Sequence, residues 1–532
     1  DIGRRIYVIV DEENLYVAKA TADEHGRIRS VNEIIFDGVP IKVVAYDNPF
    51  IETAPRKYEV EWLSKSMKRP KRIKASTVDE VLDILKANGL VVHKVLADNA
   101  LGSLLNAYIT AGKGELREDA GAPGFFWQDG KIVVSHYEVK EPDMGDLKEA
   151  AAFIKELFDE WFANEKDKLA TILKWDAYAP FIFIQKYRKK TENRNSDIIK
   201  WLYLGGVSFS GKTTLGRIAL AIWDALGENE KFGTHIDSVP RLGAVLSSGT
   251  FPVVINEPGK IFEDTGMLDA VKTGIEDTSA RARYFGKGAA SYSDIPSYAP
   301  VIFTSNRAHP NESGLVRRLL TIVFTKKDRV SPERAKQFEA KLNSGIMKKL
   351  SAIGHYIIKR VLEDPSLLDL QWWEFGKRMW EEIFQAAGVE APKGLELMYE
   401  EEESEANAAS LETIQEVFIE EINSGYALGA GRNESILLDA KVREVLEKRY
   451  KPWLFLKNDK VYIKNGAMEA FRKKIPELIN LRSLADALGW EYKKYSVRTN
   501  GRVESSTAIV VDVDKFIDFV VNGPPIEQQE QL

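Results

Sequence analysis

The sequence has no cysteine in 532 residues. That absence removes disulfides, thiolate nucleophiles and cysteine-built zinc sites together, and it suits an intracellular protein; a cytoplasmic location is the expectation. Histidine is nearly as scarce, with 6 residues at scattered positions and no H-E-x-x-H or similar spacing. A structural metal is therefore not expected. No apolar run reaches the roughly 18 residues that a membrane span needs, and no signal-peptide pattern opens the chain, so no membrane partner is expected. Positive charge is not in excess either. The 74 Lys and Arg against 80 Asp and Glu leave a net charge of −6, so any contact with nucleic acid must use local patches. The chain starts at Asp1 rather than at a methionine, as a piece of a longer protein would.

What is present centres on Gly206-Val207-Ser208-Phe209-Ser210-Gly211-Lys212-Thr213, which fits G-x-x-x-x-G-K-[ST]. The apolar run Trp201-Leu202-Tyr203-Leu204 precedes it as a buried strand would. Leu215, Ile218, Ala219, Ala221 and Ile222 follow at helical spacing. Strand, glycine loop and helix is the context that gives this motif its meaning. The glycines let the backbone fold around phosphate oxygens, with loop N–H groups and the helix N-terminus facing the negative charge. Gly206, Ser210, Gly211, Lys212, Thr213 and Thr214 are the expected nucleotide contacts: Lys212 on the β- and γ-phosphates of ATP, the Thr213 hydroxyl on Mg²⁺.

The expected fold is multidomain, α/β and α+β. Residues 1–140 read as an α+β domain of short strands (6–10, 15–18, 41–46), two helices and a hairpin with an Asp129-Gly130 turn. A basic segment at 65–74, with Lys68-Arg69-Pro70-Lys71-Arg72, is either a solvated loop or a phosphate-contacting arm. Residues 141–194 read as a helical linker, 195–330 as a P-loop ATPase core and 331–410 as a helical connector. Within the connector 332–362 reads as amphipathic helix, and Glu400-Glu401-Glu402-Glu403 as an exposed boundary. Residues 411–532 end in a short helix, a strand, an Asn500-Gly501 turn and another strand, the pattern of a winged helix-turn-helix. Lys493, Lys494, Arg498 and Arg502 put positive charge there, so that end contacts DNA or, alternatively, only protein.

The rest of an ATP site follows the loop. Phe251-Pro252-Val253-Val254-Ile255-Asn256-Glu257 is an apolar strand ending in polar residues, with Asn256 where an Asp is usual. Glu257 then carries the charge that polarises the lytic water, and Asn256 supports Mg²⁺ through water. A third strand ends in Thr304-Ser305-Asn306, where Asn306 either bonds the γ-phosphate or the water from the far side, or simply caps the next turn. Between these strands Arg281-Ala282-Arg283-Tyr284-Phe285-Gly286-Lys287-Gly288 reads as a hairpin. Its glycine-flanked Lys287 suits gripping a phosphate backbone, though a solvated tip would look the same. Arg317 and Arg318 stand just before an apolar strand. One of them facing a neighbouring subunit would supply charge to the transition state in trans.

Taken together, 206–213, Ile255-Asn256-Glu257, Thr304-Ser305-Asn306 and Arg317-Arg318 resemble the AAA+ helicases of the superfamily-III and MCM-like groups, which serve viral, plasmid and mobile-element replication. The resemblance covers 202–324 only, and an archaeal source is the expectation. It implies a homo-oligomeric ring, a hexamer, that pulls single-stranded DNA through a central pore. It implies Arg318 as the finger, with Arg317 in reserve, Lys287 as the pore-hairpin lysine, and a C-terminal winged helix. The alternatives are a non-unwinding AAA+ switch, such as a replication initiator or a packaging or transposition regulator, and a nucleotide-binding module that has lost hydrolysis with its Walker B Asp.

Overall fold

The computed structural model describes residues 5–22, 27–194, 197–286, 289–310, 312–400, 403–431, 439–475, 480–499 and 502–523. The chain divides into two units. One holds Asp1–Phe126, Val133–Tyr137 and Arg283–Pro296; the other holds Trp127–Ile132, Glu138–Ala282 and Ser297–Leu532.

In the first unit, Arg5–Asp11, Tyr16–Ala22 and Ile28–Asp37 form an antiparallel sheet. The chain then turns at Gly38, whose φ is +97° and where a Cβ would stand 2.4 Å from the Leu63 carbonyl oxygen, so only glycine fits. A second sheet runs in the order Lys71–Ala75, Lys57–Leu63, Val39–Asp47, Glu115–Glu118. Its alternating Val43, Ala45, Val60 and Trp62 pack with Val81 and Leu85 of the helix Val78–Ala87 and with Leu101 and Leu105 of Lys94–Thr110. The strand Ile28–Asp37 was not legible in the sequence, because its Ile28, Val31 and Ile34 are exposed rather than core-facing. Part of the basic segment is also a strand, not a loop. Arg72 pairs with Glu61 at 3.0 Å and Lys74 approaches Glu59 at 3.9 Å, so these cations are answered by the adjacent strand.

The second unit is built on a five-stranded sheet in the order Glu230–Phe232, Val253–Asn256, Val301–Thr304, Trp201–Gly206, Leu319–Phe324. Every pairing is parallel. Strands buried on both faces read as continuous apolar runs, and four of the five are visible in the sequence in this way. This mixed α/β arrangement with a central parallel sheet is consistent with a P-loop core. Helix Lys166–Tyr178 is buried from Lys168 to its end. It packs on Trp372–Ala387, whose Gly376 leaves room for the Lys174 backbone. Residues 332–362 are not one helix: Gly345, at φ +95°, breaks the run after Pro332–Lys341, and Ser351–Glu363 carries the buried face.

Toward the C-terminus, Phe418, Phe471, Trp490 and Phe516 anchor one core beneath a sheet ordered Leu454–Lys457, Lys460–Lys464, Arg502–Asp512, Glu491–Thr499. The expected short helix, Leu481–Leu488, and the two strands after it are present. Among the described residues no helix is long and apolar enough to cross a membrane.

Candidate nucleotide site

Because the core strands are parallel, their carboxyl ends share one edge of the sheet, where ligands of open α/β sheets bind. Gly206 ends its strand directly opposite Phe324. Its φ is +116°, and a Cβ there would lie 1.9 Å from the Phe324 carbonyl oxygen. The neighbouring strand thus dictates glycine. The loop leaves the strand through Gly206 N–H donating to the Arg307 carbonyl and Val207 N–H donating to that of Phe324, both at 3.0 Å. At the far end Gly211 is at φ +85°, with the Phe162 ring 3.1 Å from where a Cβ would stand. The helix Lys212–Ile222 starts with no side-chain cap, so its first N–H groups have no side-chain acceptor and face the loop.

Lys212 is buried inside this loop. Its Nζ donates to the Gly206 carbonyl at 2.9 Å, to the Val207 carbonyl, and to Ser210 Oγ at 3.3 Å. Ser210 Oγ in turn donates to the Val207 carbonyl at 2.9 Å. Burial pulls the ammonium down to about 8, opposed chiefly by the negative charge of Glu257. A partly desolvated cation held by neutral carbonyls and a hydroxyl is well prepared to take an anion. Thr213 is exposed and Thr214 half-buried at the helix start. The donor set (loop N–H groups, a buried Lys and an exposed Thr hydroxyl) fits a nucleotide phosphate with its Mg²⁺. Gly206→Ala should therefore distort the cradle: nucleotide affinity is expected to fall by about tenfold or more, with a lower melting temperature. Titration with a fluorescent ATP analogue, run beside thermal melting, checks this.

Asn256 and Glu257 end the next-but-one strand, and they differ sharply. Asn256 is buried, and both ends of its amide are engaged: Oδ1 accepts from Thr304 Oγ1 at 2.6 Å, and Nδ2 donates to Glu230 Oε1 at 3.2 Å. These bonds tie three strands together and give Asn256 a structural part at the sheet edge. Glu257 is exposed at φ +53°, an uncommon conformation for a side-chain-bearing residue. Its N–H is fixed on the Thr304 carbonyl at 2.8 Å, and Gly233 makes room for its carbonyl oxygen, which a Cβ would approach to 2.1 Å. Glu257 also borders a cavity of about 190 Å³ shared with Ser305 and Arg307. From the adjacent strand, Asn306 reaches the loop itself: its Oδ1 accepts from Ser208 Oγ at 3.1 Å. The lysine loop, Glu257 and Asn306 are thus brought to one edge.

Arg317 and Arg318 are not. They precede Leu319, which pairs with Trp201 at the start of the loop strand, whereas Gly206 pairs with Phe324. Five residues at roughly 3.3 Å each put about 17 Å of strand between these arginines and their own loop. Arg318 is half-buried, with Nη1 donating to the Gly314 carbonyl at 2.8 Å and Nε 2.7 Å from Glu276 Oε1. That Nε contact is close but poorly aligned as a hydrogen bond, so we treat it as an ion pair. Arg317 is exposed and, among the described residues, makes no ion pair. Arg318 is thus already engaged within its own chain, whereas Arg317 is exposed.

Of the expected DNA contacts, Lys287 lies outside the described residues. Lys493 pairs with Glu491 at 3.0 Å. Lys494 is exposed and, being the next residue along the strand Glu491–Thr499, lies on the face opposite Lys493. Arg502 pairs with Thr499 in the adjacent strand; the side chains of Arg498 and Arg502 lie outside the described residues. Lys493 and Lys494 thus do not belong to one patch.

Sequence reasoning missed Thr304 and Glu230 as the partners of Asn256, and it missed a buried ion pair beneath the loop. Lys168 Nζ donates to Asp328 Oδ2 at 3.0 Å, and the same oxygen accepts from Thr325 N–H at 2.5 Å. The only sequence signal for that pair was a lysine on the apolar stretch that follows 161–165.

Comparison with solved structures finds remote likenesses. The chain is similar to Cch, the active helicase of SCCmec type IV, at 12% identity over 97% of this chain and 98% of that one, with a TM-score of 0.33. It is similar to the JCV helicase at 18% identity over 47% and 74%, TM-score 0.20. It is also similar to the Thermotoga maritima RuvB Holliday junction branch migration motor, at 14% identity over 55% and 92%, TM-score 0.21. No protein-family model matches the sequence, and no curated protein matches it. At such distances the functional reading rests on the site's own residues.

Proposed function

We propose that the chain is a AAA+ P-loop ATPase that works as a ring-forming DNA helicase for a virus, plasmid or other mobile element. The observation that supports this best is the division of the site. Lys212, Glu257 and Asn306 lie on the carboxyl edge of the sheet, whereas Arg317 and Arg318 lie toward the amino edge of the same sheet. A complete site would then need the loop of one subunit and an arginine of the next, which makes a homo-oligomer, a hexamer, the working form.

In this mechanism the loop N–H groups and Lys212 hold the β- and γ-phosphates of ATP. The Thr213 hydroxyl would hold Mg²⁺, which would supply neutralisation of the phosphate charge. Glu257 orients and polarises the attacking water, and Asn306, next to Ser208, fixes the γ-phosphate side. Asn256 keeps the Glu257 strand in register through Thr304 and Glu230. The third possibility, a module with lost hydrolysis, is disfavoured because the carboxylate needed for the water is retained at Glu257. ATPase rate with and without single-stranded DNA, measured beside oligomer size with ATP bound, tests the proposal. Strand displacement then separates a helicase from a non-unwinding switch.

Lys287→Ala is expected to leave basal ATPase nearly intact while the stimulation by DNA and the unwinding are lost. The motive is its glycine-flanked place between the strands Ser279–Gly286 and Ala289–Pro296. Unchanged stimulation in the variant would remove the pore-hairpin role.

A further inference from the structure

A second cation stands beside the P-loop, and the site as described above does not use it. The segment that follows the last core strand is pinned from two sides. Asp328 accepts from Thr325 N–H and from the buried Lys168, and Asp328 N–H donates back to the Thr325 carbonyl at 3.0 Å. Two residues on, Val330 N–H donates to the Phe209 carbonyl at 3.3 Å, directly on the loop. Arg329 lies between these anchors. Its backbone is therefore fixed one residue from the loop while its side chain stays partly exposed.

That side chain does not point into open solvent. Arg329 Nη2 donates to Glu416 Oε1 at 2.7 Å. Glu416 lies on the helix Glu403–Ala430, and the residue before it, Gln415, donates to the Val520 carbonyl at 2.8 Å. The helix carrying Glu416 is thus sewn into the C-terminal core, which Ile414, Val417 and Phe418 also join. One ion pair therefore joins the edge of the nucleotide loop to the C-terminal segment.

We infer that Arg329 is a phosphate-contacting residue of this site which Glu416 holds off the nucleotide, so that the terminal phosphate of ATP and the C-terminal helix compete for one guanidinium. The inference rests on the nucleotide reading. A guanidinium can grip a phosphate through two parallel N–H···O bonds, a geometry that outcompetes its single hydrogen bond to the partly exposed Glu416 carboxylate. ADP lacks the third phosphate and leaves the pair intact. Burial sets the Lys212 ammonium first, but Glu416 and Arg329 follow Glu257 among the charges it feels, which fits their nearness to the phosphate position. The consequence is a link between nucleotide state and C-terminal position: ATP loosens the Arg329–Glu416 tie, and hydrolysis restores it.

Equilibrium titration of the full chain with fluorescent ADP and a fluorescent non-hydrolysable ATP analogue, with Mg²⁺ present, tests this. Arg329→Ala is expected to weaken the ATP analogue about tenfold or more, the worth of a charge-assisted hydrogen bond, and ADP less than about threefold. Glu416→Gln is expected to tighten the ATP analogue and leave ADP unchanged, and Arg329→Lys to recover part of the lost preference. The double variant Arg329→Ala, Glu416→Gln should behave as Arg329→Ala alone, because Glu416 acts only through Arg329. Equal losses for both nucleotides in Arg329→Ala, or a gain in Glu416→Gln that survives removal of Arg329, would overturn the inference while leaving the nucleotide site standing. A wild-type chain that binds neither nucleotide, or binds both as well after Lys212→Ala, would instead remove the nucleotide reading on which it rests.

Discussion

Lys212→Ala is expected to abolish nucleotide turnover through loss of binding, whereas Glu257→Gln should bind ATP normally and stop at hydrolysis. The two residues sit in different electrostatic settings. Lys212 is buried among loop carbonyls, so alanine there removes a buried cation inside the cradle and leaves its carbonyls facing the phosphates. Glu257 is exposed at the strand end, where its backbone is fixed by Thr304 and its side chain borders the small cavity with Ser305 and Arg307. Glutamine keeps that shape and loses only the charge that draws a proton from water. A positioned general base is worth about 10²- to 10⁴-fold in rate, so the chemical step should fall by that much with affinity unchanged. Single-turnover hydrolysis with excess enzyme, run beside an ATP-binding titration, separates the two outcomes. Wild-type hydrolysis in Glu257→Gln would end its assignment as the water-polarising residue.

How much of this was legible beforehand depends on the kind of residue. The loop could be read because its glycines answer local demands: Gly206 must clear the Phe324 carbonyl, and Gly211 must turn left-handed before the helix. The buried core strands could be read because a parallel sheet covers both faces, so Trp201–Gly206, Val253–Asn256 and Val301–Thr304 are apolar throughout their middle. What could not be read were the partners. Asn256 looks like a metal-site residue in the sequence, and only the pairing of its strand with Val301–Thr304 and Glu230–Phe232 shows its amide taken up on both sides. The basic run at 65–74 reads in the sequence as a solvated loop or an arm, because its acids, Glu59 and Glu61, precede it in the chain and meet it only across a strand pair. Arg318 was preferred by resemblance, and no local pattern announces that Glu276, at the end of a helix more than 40 residues earlier, lies beside it.

The arginine pair gives the most discriminating experiment, because it tests assembly and chemistry at once. Arg317→Ala is expected to lower ATP turnover by about 10³-fold, the size of a transition-state arginine and far beyond the roughly 1 kcal/mol of a surface ion pair. It should still bind ATP, since its own Lys212 is intact and about 17 Å of strand separates the arginine from that loop. Arg318→Ala should cost less turnover and more stability, because it removes a contact to Glu276 and the Gly314 carbonyl within its own chain. The reverse ranking would restore Arg318 as the finger and require that it leave Glu276 when a neighbour docks. Mixing separates a trans role from a local one. A subunit with Arg317→Ala keeps a working Glu257, and a subunit with Glu257→Gln keeps a working arginine. In a mixed ring, some interfaces pair a competent loop with a competent finger, so two inactive variants should together recover part of the ATPase rate. Titrating one variant into the other at constant total protein should give a maximum at intermediate ratios. If subunit exchange is demonstrated by fluorescence transfer and the rate stays flat across all ratios, Arg317 does not act across an interface and the ring reading loses that support.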